Sequence, residues 1–372
     1  MAALRMKSWF PTTASPLIIS APMGGVTNIK LAAEVTKAGG LGFIQAGRDF
    51  NPDSPALKKL DDQLTQAWQL LDLEASKNDN SHLPIGVGVL TFMPSARYFG
   101  ETVVPILKRH RPAAIWLFAP SPEAPGTHST IVKELRSRGS PWNPKIVVQV
   151  GTVAAAREAV AYGADIIVAQ GVDAGGHQWA SGAGIVSIVP EVIDVLRDEF
   201  PDKEIPVWAA GGIADGRGVA AALALGAEGA VLGTRYMVAP ESDAQDYKRK
   251  AIIATSDGGS NTVKIKYANI LRFSAPSRSQ VHDHITGEIN WPEIYDGRAI
   301  VTPTYHDHVA GVPLDENAKR LNAAKDSGDV SRLVTWSGTG VGLIKKEQPA
   351  AEITKEVREE ALKAITSLKS FL

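Results

Sequence analysis

Residues 207–235 read VWAAGGIADGRGVAAALALGAEGAVLGTR. Val207–Ala210 is a short apolar run that ends on Gly211-Gly212. A helical pattern opens at Asp215, a good capping residue, and runs through Leu225 to stop at Gly226. A second apolar run, Gly229–Leu232, ends on Gly233-Thr234-Arg235. Two strands without polar alternation, joined by a helix, predict parallel pairing with both faces buried. The same theme recurs toward the N-terminus, with runs at Leu17–Ser20, Leu41–Ile44, Ile85–Val89, Ala114–Phe118, Ile146–Val150 and Asp165–Ala169, so that eight strands are expected. Helical patterns fall between them: from the cap Asn28 to Lys37, Ala56–Ala75, Thr102–His110, Thr130–Arg138, Thr152–Tyr162, and from a cap at Ser187 to Phe200. Eight such units predict an α/β protein of the TIM (β/α)8 barrel type over residues 1–240. An open doubly wound sheet is the competing arrangement. Its usual G-x-G-x-x-G turn after the first strand is absent.

Residues 241–372 carry a different pattern. Asp243–Ala254 and Asp315–Lys325 read as helices, and the segment from Asp257 onward is rich in turns, with Pro276, Pro292, Pro303 and Pro313. In the tail, Ile353, Val357, Ala361, Ile365 and Leu368 recur every three or four residues, which predicts an amphipathic helix over Glu352–Leu372. The expectation is an appended, predominantly helical C-terminal lobe whose last helix packs back on the barrel.

Composition narrows the chemistry. The chain holds 372 residues, 39 basic and 40 acidic, and no cysteine. A near-neutral balance offers nothing to attract nucleic acid. The absence of cysteine removes disulfides, thiolate nucleophiles and thiolate-bound metals. No secretory signal is evident before Pro11 and no apolar stretch is long enough to span a bilayer, so a soluble cytoplasmic protein without membrane contact is expected.

Candidate functional residues cluster at the carboxyl ends of the expected strands, the rim on which barrels build their sites. Gly211-Gly212 and Gly233-Thr234 follow the last two strands, where glycine lets the backbone approach an anion and offer its N–H groups; Thr234 adds a hydroxyl. Tight barrel turns need glycine as well, so both readings stand. Met23 follows strand one and can lie against a planar ring or simply pack at the rim. Gln170 ends strand six and can donate an amide hydrogen bond to a ligand or cap its own strand. His177, after Ala174-Gly175-Gly176, is the strongest side-chain candidate for proton transfer, against the plainer reading of an exposed loop histidine. Asp173 beside it also fits a turn cap. Trp179 and Tyr236 stand near the rim, with packing the simpler role. Two runs, His282-Asp283-His284 and His306-Asp307-His308, have spacing that suits a metal but lack a clear third partner, so no metal is assigned.

The order Pro22-Met23-Gly24-Gly25, Gln170-Gly171 through Ala174-Gly175-Gly176-His177, Ala210-Gly211-Gly212-Ile213 with Asp215-Gly216, and Gly233-Thr234-Arg235 resembles the nitronate monooxygenases, once called 2-nitropropane dioxygenases. Trp336–Leu343 resembles a late glycine-rich segment of the same family. The resemblance implies a barrel with an added helical lobe and a non-covalent FMN. Pro22, Met23 and Gly24 would then meet the flavin ring, with Gln170 and Gly175 near the ring or ribityl chain. Gly211, Gly212, Gly233 and Thr234 would hold the phosphate, and His177 would be the active-site histidine. Gly88 stands where many relatives carry an asparagine near the flavin. The implied reaction oxidises alkyl nitronates, and by extension neutral nitroalkanes, with O2 to a carbonyl compound and nitrite. A homodimer is compatible with it. An NAD(P)H-dependent FMN enoyl-thioester or quinone reductase shares the barrel and the Gly-Gly-His region, and a flavin-binding module without turnover is a further alternative.

Overall fold

The computed structural model describes residues 2–76, 81–138, 142–265, 283, 285, 291–368 and 370. Its strands in chain order are β1 (Ile18–Ser20), β2 (Phe43–Gln45), β3 (Leu83–Leu90), β4 (Pro112–Phe118), β5 (Lys145–Val150), β6 (Ile166–Gln170), β7 (Gly176–Trp179), β8 (Val207–Ala210), β9 (Gly229–Leu232), β10 (Thr262–Ile265) and β11 (Tyr295–Ile300). Eight of them form a parallel sheet in the order β1-β9-β8-β6-β5-β4-β3-β2. Ser20 N donates to Leu41 O at 3.2 Å and Leu41 N to Ile18 O at 2.9 Å, so the first strand also joins the chain entering β2 and the sheet closes into a barrel. All eight expected strands are present, and Val207–Ala210 and Gly229–Leu232 agree to the residue.

Strand alternation divides the core in two. Ile19, Phe43, Trp116, Val147, Val168, Trp208 and Val231 fill the barrel interior. Ile18, Ile44, Ile115, Ile146, Ile167 and Ala209 face the surrounding helices. Burial of both faces explains why the strands read as unbroken apolar runs. Inside, Phe43 meets Trp116 edge-on at 5.2 Å, and Gly86 makes the room: a Cβ there would sit 2.1 Å from the Phe43 ring. A short helix that the sequence pattern did not reveal, α1 (Ala2–Trp9), adds Met6 to this cluster, and Phe10 just after it does the same. Arg5 donates to Glu204 O at 3.0 Å, in the loop before β8, so α1 closes the end opposite the rim.

The outer helices are α2 (Ile29–Lys37), α3 (Pro55–Leu70), α4 (Phe99–His110), α5 (Thr127–Arg138), α6 (Val153–Tyr162), α7 (Ile185–Glu199) and α8 (Gly216–Ala224). Asn28, Thr152 and Asp215 cap their helices through their side chains. The expected cap at Ser187 is displaced: Gly184, with extended backbone, starts α7, and Ser187 N donates back to Gly184 O. After β9 only α9 (Thr234–Met237) comes directly. The eighth outer position is taken by the terminal helix, which packs on α8 and α2.

Between α9 and that helix lie α10 (Asp246–Ala254), α11 (Gly258–Asn261), α12 (Pro303–Val309) and α13 (Leu314–Ser327); the terminal helix itself is α14 (Ala350–Leu368). The lobe also carries a sheet that the turn-rich sequence did not reveal. β10, β11 and β7 pair antiparallel, so a strand from the loop after β6 completes the lobe's sheet. Among the described residues no helix is long and apolar enough to cross a membrane.

Specific bonds lock α14 in place. Tyr236 and Thr354 are fully buried and share a 2.7 Å hydrogen bond. Arg358 donates to Ala38 O at 2.9 Å, and Gly216 N donates to Glu360 Oε2 at 3.0 Å. Gly216 allows that approach, since a Cβ on it would lie 2.2 Å from Glu360 Cβ and 2.3 Å from Ala361 N. Gly216→Ala therefore opposes two effects: a helix-propensity gain of up to about 1 kcal/mol against an overpacking cost of about 1–3 kcal/mol. The backbone contact is the less forgiving, so a net loss of roughly 1–2 kcal/mol is expected, read as a lower urea midpoint. A raised midpoint would show that α14 yields freely.

Candidate active site

The carboxyl ends of the barrel strands open on a cavity of ≈ 690 Å³. Its wall is built from loops. Pro22, Met23 and Gly24 come from the turn after β1. Gln170 comes from the end of β6, and Ala174–His177 from the loop after it and the start of β7. Gly211 and Gly212 come from the turn after β8, and Gly233 and Thr234 from the turn after β9. Trp336, Gly338 and Gly340 close the ring from the late turn. Of the site residues expected from sequence, all but Gly88 line this space.

Gly88 lies in β3 behind Pro22, where a Cβ would come within 2.4 Å of Pro22 Cβ and 2.5 Å of its Cγ. An asparagine has no room there, and Gly88 serves by letting Pro22 sit against the strand. Polar groups reach the cavity instead from Gln45, Gln149 and Gln170. Gln149 accepts a hydrogen bond from Trp116 Nε1 at 3.0 Å. Gln170 Oε1 is buried and has no partner among the described residues.

The glycines of the last two barrel turns form a corner. Gly211 and Gly212 have φ of +108° and +75°, in the left-handed region that glycine tolerates. Among the described residues neither Gly212 N nor Gly233 N donates a hydrogen bond to another part of the chain. The late turn closes the corner from the lobe. Thr339 N donates to Asp173 O at 3.0 Å, Thr339 Oγ1 to Asp173 Oδ1 at 3.0 Å, and Gly338 N to Thr234 Oγ1 at 3.1 Å. Asp173 is thus a tie between loops, and the Thr234 hydroxyl hydrogen is left for another acceptor. Lys248, on α10, also lines the cavity; its partial burial lowers its pKa.

His177 stands on β7, where it pairs with Gly297 of β11, rather than on a free loop. Its Nε2 is 3.0 Å from Asp283 Oδ2 and 3.2 Å from Oδ1. The imidazole stacks on Trp291, with centroids 3.8 Å apart and planes within 6°, and Trp336 stands 4.9 Å away at 53°. Asp283, Trp291 and Trp336 all line the cavity.

Three further candidates take the plainer of the roles open to them. Trp179 and Tyr236 are absent from the cavity wall: Trp179 packs on Phe118 and Tyr295, and Tyr236 is in the core. Asp307 pairs with Arg332 at 2.8 Å and Arg320 at 3.1 Å, bonds that hold its carboxyl below the usual range. His282 and His284 lie outside the described residues. Among the described residues no cluster of three potential ligands could hold a metal.

Asp283 and Trp291 escaped sequence reading. The first was visible only inside a His-Asp-His run, and the second is a lone tryptophan before Pro292.

A family model described as nitronate monooxygenase matches residues 130–360. The nitronate monooxygenase of Neurospora crassa is 50% identical over 380 aligned positions, covering 100% of this chain and 95% of that one. Two solved structures share the fold. FabK from Thermotoga maritima has a TM-score of 0.70 at 23% identity, with 99% of each chain covered. Nitroalkane oxidase from Streptomyces ansochromogenes has 0.68 at 24%, with 98% of this chain and 99% of that one covered. The structural likenesses speak for the barrel and lobe alone. The full-length identity and the family match go further, and by them the chain belongs to the nitronate monooxygenase family.

Proposed function

We propose that this protein oxidises alkyl nitronates with O2, to a carbonyl compound and nitrite, using FMN bound in the rim cavity. The observation that carries the reading is the pairing of an anion corner with an imidazole across one cavity. At one end, Gly211, Gly212, Gly233 and Thr234 offer backbone amides and a hydroxyl suited to a phosphate. A Cβ at Gly24 would meet nothing within 4 Å, so the turn after β1 faces open space that a flat ring can occupy beside Met23. The unpartnered Gln170 Oε1 offers an acceptor to a ring N–H or a ribityl hydroxyl. Gly175 sits under the late turn, where a Cβ would fall 2.4 Å from Gly338 N, and its role is to bring that wall close. These residues fit FMN, which when bound supplies the electron-transfer chemistry with oxygen.

The chain's own residues handle the substrate and its proton. His177 donates a hydrogen bond to the nitronate oxygens when its imidazole is doubly protonated, as it is once proton transfer has formed the anion in the site. With a neutral nitroalkane it also takes the α-proton, so that the C–H electron pair moves to the nitro group and the nitronate forms in the site. Trp291 and Trp336 flank the imidazole and limit water around it.

The rival reading, an NAD(P)H-dependent reductase on the same barrel, differs in the electron donor. Anaerobic mixing separates them: nitronate is expected to bleach the bound flavin and NAD(P)H to leave it oxidised, while the reverse pattern would overturn the proposal. His177→Asn should keep FMN yet lose roughly 100-fold or more of its turnover of neutral nitroalkane. Steady-state rates equal to wild type on both neutral and anionic substrate would remove the histidine from the mechanism. Gly212→Val forces a branched side chain onto a φ of +75° with its Cβ 2.9 Å from Asp173 Cβ. The dissociation constant for FMN should rise at least about tenfold in a variant with wild-type far-UV dichroism. An unchanged constant would place the phosphate elsewhere.

A further inference from the structure

We infer that Asp283 is a positioning residue that fixes the tautomer of His177, so that Nδ1 is the nitrogen that meets the substrate. The inference rests on the function proposed above. His177 Nε2 lies 3.0 and 3.2 Å from the two oxygens of Asp283, whose side chain is 2% exposed. An ionised carboxylate only accepts hydrogen bonds, so Nε2 must carry the proton it donates. In the neutral imidazole this leaves the lone pair on Nδ1. The ring cannot easily escape this choice. It lies flat on Trp291 at 3.8 Å and within 6°, and turning it over would carry Nε2 away from the carboxylate. A side chain that lines the cavity with one nitrogen committed to a buried acid has only the other to offer a ligand.

The consequence for a neutral nitroalkane is specific. The substrate C–H bond breaks, a bond forms between that proton and Nδ1, and the electron pair moves to the nitro oxygens. The imidazole becomes an imidazolium, with both nitrogens protonated and Nε2–H still donating to the Asp283 carboxylate. Asp283 thereby both selects the accepting nitrogen and stabilises the charge that proton transfer creates, without touching the substrate. A substrate that arrives already as nitronate needs no such transfer. Asp283 should matter little to it.

Two measurements on the FMN-loaded protein test this. The first is long-range ¹H–¹⁵N correlation on ¹⁵N-histidine-labelled enzyme, with the His177 signals assigned by their loss in His177→Asn. Wild type should show the tautomer protonated at Nε2, and Asp283→Asn should shift the population toward protonation at Nδ1, because the amide can donate as well as accept. The second is the ratio of kcat/KM for neutral nitroalkane to that for its nitronate. Asp283→Asn should lower the neutral value roughly 10- to 100-fold and leave the nitronate value within about threefold. Asp283→Glu should recover part of the loss. A wild-type signal protonated at Nδ1, or a variant with unchanged tautomer and unchanged ratio, overturns the inference. A parallel fall on both substrates with loss of flavin overturns it too, since that marks a structural residue. Wild type that oxidises nitronate but not neutral nitroalkane contradicts the proton-accepting step and leaves the proposed function standing. Failure on both substrates defeats the proposed function, while the tautomer measurement still reports on the pair itself.

Discussion

The cavity depends on backbone packed directly on backbone where three glycine turns meet. A Cβ on Gly175 would lie 2.4 Å from Gly338 N, one on Gly338 2.5 Å from Asp173 O, and one on Gly340 2.5 Å from Gly212 O. No side chain separates the loop after β6, the turn after β8 and the late turn of the lobe. Only glycine allows main chains to approach this closely. The bonds of Thr339 to Asp173 and of Gly338 to Thr234 hold that arrangement. The late turn can reach the rim because the lobe is anchored at both ends. It leaves the barrel after β9 and returns as α14, which fills the last outer position beside α2 and α8. The lobe is thus inserted into the final strand–helix unit, and its site-facing turn is held by the fold of the barrel itself.

Much of this was legible from residues alone, for a physical reason. Strands buried on both faces carry no alternation to misread, and glycines mark their ends, so runs such as Val207–Ala210 stand out clearly. The rim glycines were equally visible, although a tight barrel turn calls for glycine as much as an anion site does. What escaped was long-range. β7 is a short strand, Gly-His-Gln-Trp, whose partner β11 is supplied by the lobe, and neither segment announces the pairing locally. The carboxylate that meets His177 is 106 positions away along the chain. Gly88 was misleading because a missing polar side chain looked like a missing contact. In three dimensions it is the space that Pro22 fills.

The barrel and lobe by themselves leave the reaction open, for FabK and a nitroalkane oxidase share them at comparable TM-scores. Specificity has to come from what lines the rim cavity. In this chain that is an imidazole between two tryptophans, with a buried acid behind it. A carboxylate kept from water is costly unless a donor meets it, and a protonated Nε2 would be such a donor. The stack with Trp291 fixes the plane of the ring, so the pair resembles a rigid fixture more than a mobile loop.

That fixture has two owners. His177 belongs to the barrel's sixth loop, whereas Asp283 and Trp291 belong to the lobe. The sheet that joins them is what sets their distance. β7 pairs with β11 through His177 and Gly297, and Lys264 of β10 donates to Trp179 O at 2.7 Å and to Ala180 O at 3.0 Å. Tyr295 of β11 donates to Pro120 O at 3.0 Å, in the loop after β4. The lobe strand is therefore fastened to the barrel on both sides of the histidine. The same insertion thus reaches the rim through two different sets of contacts, the glycine turns on one side and the three-stranded sheet at the imidazole on the other.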